Sequence, residues 1–364
     1  MNLVDAGWNT FFEEHFKPYA LDGFSAGRVA VEHKNVYVLF TEHGELRANI
    51  SGKIRYKASN RSDFPVVGDW VVIKPRPAEK YATIHAILTR KSKLSRKAAG
   101  IETEEQILAA NIDTAFWISS FNRILNIRRI ERYLTTVWES GAHPVIILNK
   151  LDLCIDCELE EKVLAVESAA PGVPVHAVSA KNGHGIENLM PYINKGNTIV
   201  FLGSSGVGKS TLINRLIGED VQKVSEIREI DDRGRHTTAS RQLIILAGGG
   251  LVIDSPGIRE LQLWDTVNGV TETFEEIENI AQHCRFSDCR HESEPSCAVK
   301  QALEDGRIDP KRFQNYNKMQ KELDHLDTKR NIRSKIVEKK RAKQFGRLIK
   351  SMKENFKKYK FNKQ

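Results

Sequence analysis

Three contrasting patterns predict a multidomain chain. A small β-barrel comes first, an α/β domain with a mostly parallel sheet second, and a helical segment with a Cys/His cluster and a basic tail last. Residues 1–104 alternate in short strands broken by Gly-containing turns, residues 105–263 alternate strand-like with helix-like runs, and residues 264–364 gather three of the five cysteines and most of the excess positive charge. At 364 residues the chain is too long for one ordinary core.

The barrel reading rests on "GRVAVEHKNVYVLFTEHGELRANI", "FPVVGDWVVIK" and "YATIHAILTR". These runs alternate apolar with polar residues, and no convincing helix follows Tyr19. Size and pattern fit an oligonucleotide/oligosaccharide-binding (OB) type barrel. Basic residues are interleaved: Lys53, Arg55, Lys57 and Arg61, then Lys91, Lys93, Arg96 and Lys97. With Tyr37, Tyr56 and Trp70 nearby, they sketch a nucleic-acid face. A barrel with core aromatics and solvated charges is the equal alternative.

In the middle region, "IDTAFWISS", "HPVIILNK" and "VPVHAVSAK" are strands, and "IRRIERYLTTVWESG" is a helix closed by its glycine. "NTIVFLGSSGVGKSTLINRLIG" reads strand, loop, helix, and "RQLIILAGGGLVIDSPG" reads as two strands around a Gly turn. In the last region "DGRIDPKRFQNY" marks a boundary, with Gly306 ending one helix and Asp309 capping the next ahead of Pro310. The tail residues Phe345, Leu348, Ile349, Met352, Phe356 and Tyr359 follow helical spacing.

Net charge is +8, but it is unevenly spread. Residues 311–364 hold 19 Lys+Arg against 5 Asp+Glu, and the remainder 36 against 42. Such a tail meets a polyanion or serves only to keep the chain in solution. The longest weakly charged apolar run, Leu243 to Ile253, is too short to span a bilayer, and the N-terminus has no basic leader. Membrane and secretory classes are therefore not expected, and a cytoplasmic monomer is.

The strongest chemical signal is a phosphate loop: Gly203, Ser204, Ser205, Gly206, Val207, Gly208, Lys209, Ser210, Thr211. Small residues let backbone N–H groups converge on phosphates, Lys209 neutralises them, and Ser210 offers a hydroxyl to Mg2+. Asp254 in "DSPG" ends a strand where its carboxylate serves the Mg2+, and Gly257 leaves an N–H for the γ-phosphate. Thr237 or Thr238, in "GRHTT", completes the Mg2+ shell.

"NKLD" supplies Asn149, Lys150 and Asp152. The Asp carboxylate accepts from guanine N1–H and the 2-amino group together, a donor pair that adenine lacks. "VSAK" supplies Ser179, Ala180 and Lys181, whose turn offers an N–H to guanine O6. Both base loops precede the phosphate loop, the reverse of the usual GTPase order. The order is that of a circularly permuted GTPase domain.

Cys284, Cys289, His291 and Cys297 form a closed set of three thiolates and one imidazole, suited to one structural tetrahedral Zn2+. Cys154 and Cys157 read as ordinary residues at a helix start.

With "SRKAAG", "NKLD", "GSSGVGKST", "GRHTT", "DSPG" and the cysteine cluster in this order, nearly the whole chain resembles the ribosome small-subunit-dependent GTPase A (RsgA) family. The resemblance supports the four zinc ligands. It implies a cytoplasmic bacterial GTPase acting late in 30S maturation, stimulated by the 30S subunit and touching 16S rRNA. The runner-up is an RNA-binding module that nucleotide merely gates. Where many GTPases carry a water-orienting Gln after DxxG, this chain has Ile258, so His236 is the candidate catalytic group within the chain. A plain surface histidine is the other reading.

Overall fold

The computed structural model describes residues 1–20, 22–33, 36–97, 105–121, 125–154, 156–218, 241–254, 267–325 and 328. Helix α1 (Thr10–Ala20) precedes strands β1 (Ser25–His33), β2 (Val36–Thr41) and β3 (Gly44–Ile50). A short helix α2 (Gly52–Lys57) leads to β4 (Trp70–Arg76) and β5 (Tyr81–Ile87). The five strands run in the order β1-β2-β3-β5-β4, and β4 pairs back onto β1. Closure leaves no free edge, and alternate residues such as Leu39, Leu46, Val71, Ile73 and Ile84 fill the interior.

Helix α2 corrects the expectation of an all-strand region. It is only six residues long and its one buried-side apolar residue is Ile54, so no helical period could show. Its signal is local: the Ser51 hydroxyl accepts from the Ile54 N–H as an N-cap.

Strands β6 (Lys93–Lys97) and β7 (Glu105–Ala110) pair antiparallel as a separate ribbon. Then follow β8 (Thr114–Ser120), α3 (Ile127–Ser140), β9 (His143–Asn149), α4 (Asp156–Ala169), β10 (Val175–Ala177), β11 (Thr198–Gly203), α5 (Lys209–Ile217), β12 (Gln242–Ile245) and β13 (Leu251–Asp254). Their order across the sheet is β10-β9-β8-β11-β13-β12, all parallel except β12. Every residue of β11 is buried, with Val200 and Leu202 on one face and Ile199 and Phe201 on the other. Such a strand reads as a continuous apolar run, as "TIVFLG" does.

Counting from β11 instead of β8 turns the strand order into 6-5-4-1-3-2. That is a doubly wound sheet in which the phosphate-loop strand comes first and sits centrally. The permutation expected from motif order is therefore built into the sheet.

The helices α6 (Val267–Thr273), α7 (Glu275–Ala281) and α8 (Ala298–Glu304) follow. Gly269 lets α6 approach α3 closely, since a Cβ there would lie 2.0 Å from the Thr135 carbonyl oxygen. Gly306 has φ +73° just past α8, and the Asp309 carboxylate accepts from the Lys311 and Arg312 N–H groups, the predicted stop and cap. Residues Met1–Arg312 form one compact unit and Phe313–Gln364 another. The apolar tail face from Phe345 to Tyr359 lies outside the described residues.

Two arginines, Arg28 fully buried and Arg312 half-buried, tie the appended parts to the central α/β region. Arg28 of β1 donates to the carbonyls of Gly68, Ala6 and Asn111 and to the Thr198 hydroxyl of β11, with its guanidinium 5.6 Å from the Trp70 ring centroid. Burial pushes its pKa down to about 10, against the attraction of Asp113 and Asp69. Arg312 donates to Glu276, to Glu131 of α3 and to the carbonyls of Ala169 and Thr273, 4.9 Å from the Phe274 ring centroid.

Candidate nucleotide site and metal centre

The predicted nucleotide residues meet at the carboxyl ends of the parallel strands, where such sheets bind ligands. Gly203 ends β11 opposite Ile118 of β8, Asn149 ends β9 opposite Ser120, and Asp254 ends β13 one residue beyond the Val200–Ile253 pair. Strand pairing thus assembles loops that are far apart in sequence.

The phosphate loop turns on glycines with positive φ: Gly203 (+146°), Gly206 (+79°) and Gly208 (+96°). A Cβ on Gly203 would lie 2.4 Å from the Ile118 carbonyl oxygen, and one on Gly208 would lie 2.3 Å from Asn149 Nδ2. Both positions therefore require glycine for space as well as for dihedral angle. Lys209 opens α5 and its ammonium donates to the carbonyls of Gly203 and Ser204, both at 2.7 Å. Those bonds hold the charge over the loop that the backbone N–H groups line.

Asn149 joins the two halves of the site. It is 1% exposed, donates through Nδ2 to the Val207 carbonyl at 2.8 Å, and accepts at Oδ1 from the Ala180 N–H at 2.9 Å. One side chain therefore sets the distance between the phosphate loop and both base loops. Lys150 takes the left-handed conformation, φ +65°, turning the chain into the short helical turn that carries Asp152. The Ser179 hydroxyl donates to Asp152 Oδ1 at 2.6 Å and fixes that carboxylate. Arg215 of α5 donates to the carbonyls of Ala180 and Lys181 at 2.8 and 2.7 Å. Sequence reasoning missed Arg215, because a contact to main-chain carbonyls leaves no residue-type signature in its partner.

His236, Thr237, Thr238, Gly257 and Ile258 lie outside the described residues. Ser210 lies in the first turn of α5 and Asp254 ends β13.

The cysteine cluster comes together from a loop between α7 and α8. The candidate ligand atoms of Cys284, Cys289, His291 and Cys297 all lie within 4.8 Å of one another. Cys284 Sγ is 3.8 Å from Cys297 Sγ and 3.6 Å from His291 Nδ1, which is 3.3 Å from Cys297 Sγ. Thiolates about 2.3 Å from a tetrahedral ion are separated by roughly 3.8 Å, so the set fits a four-coordinate metal. The Glu294 carboxylate accepts from the N–H groups of Arg290, Glu292 and Ser293, which closes the turn that presents His291.

On the barrel face the structure decides between the two readings for Tyr37 and Trp70 in favour of core aromatics. Trp70 is 0% and Tyr37 4% exposed, both in the core, so neither can stack on a base. Lys91 and Lys93 are paired with Asp113 and Glu105. What remains is α2: Tyr56 is 92% exposed, and no carboxylate among the described residues pairs with its exposed neighbours Lys53, Arg55 and Lys57. Alternation in sequence could not say which aromatic pointed inward, because Tyr37 and Trp70 sit on strands and Tyr56 on a helix.

Known proteins agree with this architecture. Residues 87–264 match the family described as RsgA GTPase, and residues 198–337 the one described as 50S ribosome-binding GTPase. A protein of Opitutus terrae named small ribosomal subunit biogenesis GTPase RsgA is 44% identical over 333 residues, covering 88% of this chain and 90% of that one. One of the same name from Methanosarcina acetivorans is 43% identical over 345 residues, covering 94% and 91%. The crystal structure of YjeQ from Thermotoga maritima superposes with TM-score 0.62 at 29% identity, covering 82% of this chain and 98% of that one. YloQ, titled a circularly permuted GTPase, gives 0.61 at 26% identity, covering 84% and 97%. On the identity and coverage of these relatives, together with the permuted strand order, the chain belongs to the RsgA GTPase family.

Proposed function

We infer that this chain is an enzyme that hydrolyses GTP to GDP and phosphate and acts in biogenesis of the small ribosomal subunit. The observation that carries the reading is the Asn149 bridge, which joins a phosphate loop to two guanine-type loops in one site. The relatives' names supply the ribosomal setting, which is cytoplasmic in bacteria. Among the described residues no helix is long and apolar enough to cross a membrane.

In this reading Asp152 selects guanine, the turn Ser179–Lys181 meets O6, and the loop from Gly203 to Thr211 holds the phosphates. Mg2+ is bound with GTP by Ser210 and Asp254, joined by Thr237 or Thr238. The four-residue cluster takes one structural Zn2+, which the thiolate-rich donor set and its spacing support. Residues 1–104 serve recognition, 105–263 the nucleotide, and 264–364 the metal-held module and basic tail. The chain acts as a monomer and meets 16S rRNA through α2, whose unpaired cations and exposed Tyr56 suit a polyanion carrying π-faces.

Ile258 can neither donate nor accept, so the attacking water takes its orientation from elsewhere, and His236 is assigned that role. Hydrolysis should be slow alone and rise by an order of magnitude or more with purified small subunits. His236→Ala should lose most of the stimulated rate while keeping nucleotide affinity. A phosphate-release assay with and without subunits reads both. No stimulation in the wild type would overturn the ribosomal reading.

A further inference from the structure

We propose that Arg215 is a positioning residue for guanine recognition, holding the one N–H of the base turn that meets O6. The proposal rests on the reading of Asp152 and of the turn after β10 as the guanine site.

From Ser179 to Gly183, four of the five N–H groups have an acceptor. Ser179 N–H donates to the His184 carbonyl at 2.9 Å, Ala180 N–H to Asn149 Oδ1 at 2.9 Å, Asn182 N–H to Ser179 Oγ at 3.1 Å and Gly183 N–H to the Ser179 carbonyl at 2.8 Å. Between Ser179 and Gly183, the Lys181 N–H is the one with no partner among the described residues. It belongs to the peptide whose carbonyl, that of Ala180, accepts from Arg215 Nε at 2.8 Å. No peptide bond among the described residues is cis, so C=O and N–H of that unit point in opposite directions. Holding the carbonyl toward α5 therefore aims the Lys181 N–H away from α5.

Arg215 grips two consecutive carbonyls, because Nη2 also reaches Lys181 O at 2.7 Å. A planar fork on two acceptors fixes orientation, which a single bond does not. Gly183 leaves room for the guanidinium: a Cβ there would lie 2.8 Å from Nη1, at a φ of +90°. The acceptor is set by the neighbouring carboxylate. Asp152, fixed at 2.6 Å by Ser179 Oγ, takes N1–H and the 2-amino group, and O6 lies next to N1 on the same edge of the base. A donor two residues beyond Ser179 is then needed, and Lys181 N–H is that donor. Because Arg215 stands on the helix that begins at Lys209, the phosphate-binding helix and the base turn are fixed to each other twice, by Arg215 and by Asn149.

The test compares GTP with 2-aminopurine riboside triphosphate, which has neither O6 nor N1–H and keeps the 2-amino group, by competition binding, each nucleotide being compared between variant and wild type. Arg215→Met should weaken GTP about tenfold, a loss typical of a misdirected charge-supported contact, and leave the analogue within about twofold of wild type. The preference for GTP should therefore fall about tenfold. Arg215→Lys, which keeps the charge but loses the fork, should also lower it. Equal weakening of both nucleotides would mean a general structural role, and unchanged GTP affinity in both variants would mean no role; either overturns the proposal. Asp152→Asn serves as the separate arm. If it fails to shift preference from GTP toward xanthosine triphosphate, the base-site reading falls; if it shifts as expected and Arg215→Met does not, only the proposal falls.

Discussion

The barrel and the helical module are each fixed to the central α/β region by an arginine, but in opposite ways. Arg28 is caged by neutral acceptors, three carbonyls and one hydroxyl, with Asp113 and Asp69 acting at a distance. Arg312 is met directly by two carboxylates, one of which, Glu131, has a fully buried side chain. A caged cation loses hydration that dipoles only partly replace, which is why burial lowers the Arg28 pKa. A paired cation shares the site with a charge that it balances. The barrel junction thus depends on geometry and the helical junction on charge balance.

The largest effect that separates the two should come from Arg312→Met. Removing one member of a buried pair costs about 3–5 kcal/mol, because the buried Glu131 carboxylate loses the guanidinium that balances its charge. Adding Glu131→Gln should return a substantial part of that loss, which urea unfolding of the single and double variants will measure. No recovery would mean that Arg312 acts through its neutral acceptors, the carbonyls of Ala169 and Thr273, as Arg28 does through its own.

Arg28→Met should cost somewhat less, about 2–3 kcal/mol, the penalty for buried acceptors left unmade. Removing a distant carboxylate, as in Asp113→Asn, should not rescue it. The pH dependence sharpens the contrast. The folded-state pKa of Arg28 is below its unfolded value, so between about 10 and the unfolded value the unfolded chain binds more protons. The cost of burying the charge is present in full at pH 7 and is relieved as pH rises through about 10. Wild type should therefore gain stability relative to Arg28→Met only in that alkaline range, as paired melts from pH 7 to 10.5 will test.

The smallest effect expected on the nucleotide is from the metal. Arg312 holds its contacts outside the cysteine loop, so Cys289→Ala should abolish one bound zinc per chain yet leave GTP affinity within about twofold. Metal analysis and nucleotide titration of the same preparation decide it. A large loss of GTP affinity would mean that the metal loop, and not Arg312, governs the helical junction.

These junctions are also where sequence reading stopped. The phosphate loop, the two guanine loops and the cysteine set were legible because each chemistry confines its residues to a short span. Strands such as β11 were legible because burial on both faces needs an unbroken apolar run. Arg28 and Arg312 look like any other basic residue, since their partners Thr198 and Glu131 are 170 and 181 positions away. The same holds for Arg215, whose acceptors are 34 and 35 positions off and are main-chain atoms. Tyr37 and Trp70 were left between two equal readings for a related reason: proximity in sequence to basic residues says nothing about which side of a closed barrel an aromatic faces.

The strand order has a consequence for how the molecule is made. Strands β8, β9 and β10 are consecutive in the chain and adjacent in the sheet, so the half that reads the base can pair as it leaves the ribosome. Its inner edge, along β8, is completed only by β11, when Gly203 comes to lie opposite Ile118. The Asn149 amide acquires its Val207 acceptor at the same late moment. A nascent chain that ends before β11 therefore carries a finished barrel and a base-reading half with no phosphate loop, and gains nothing from the nucleotide around it. Binding competence arrives in one step, after more than half of the polypeptide has been synthesised.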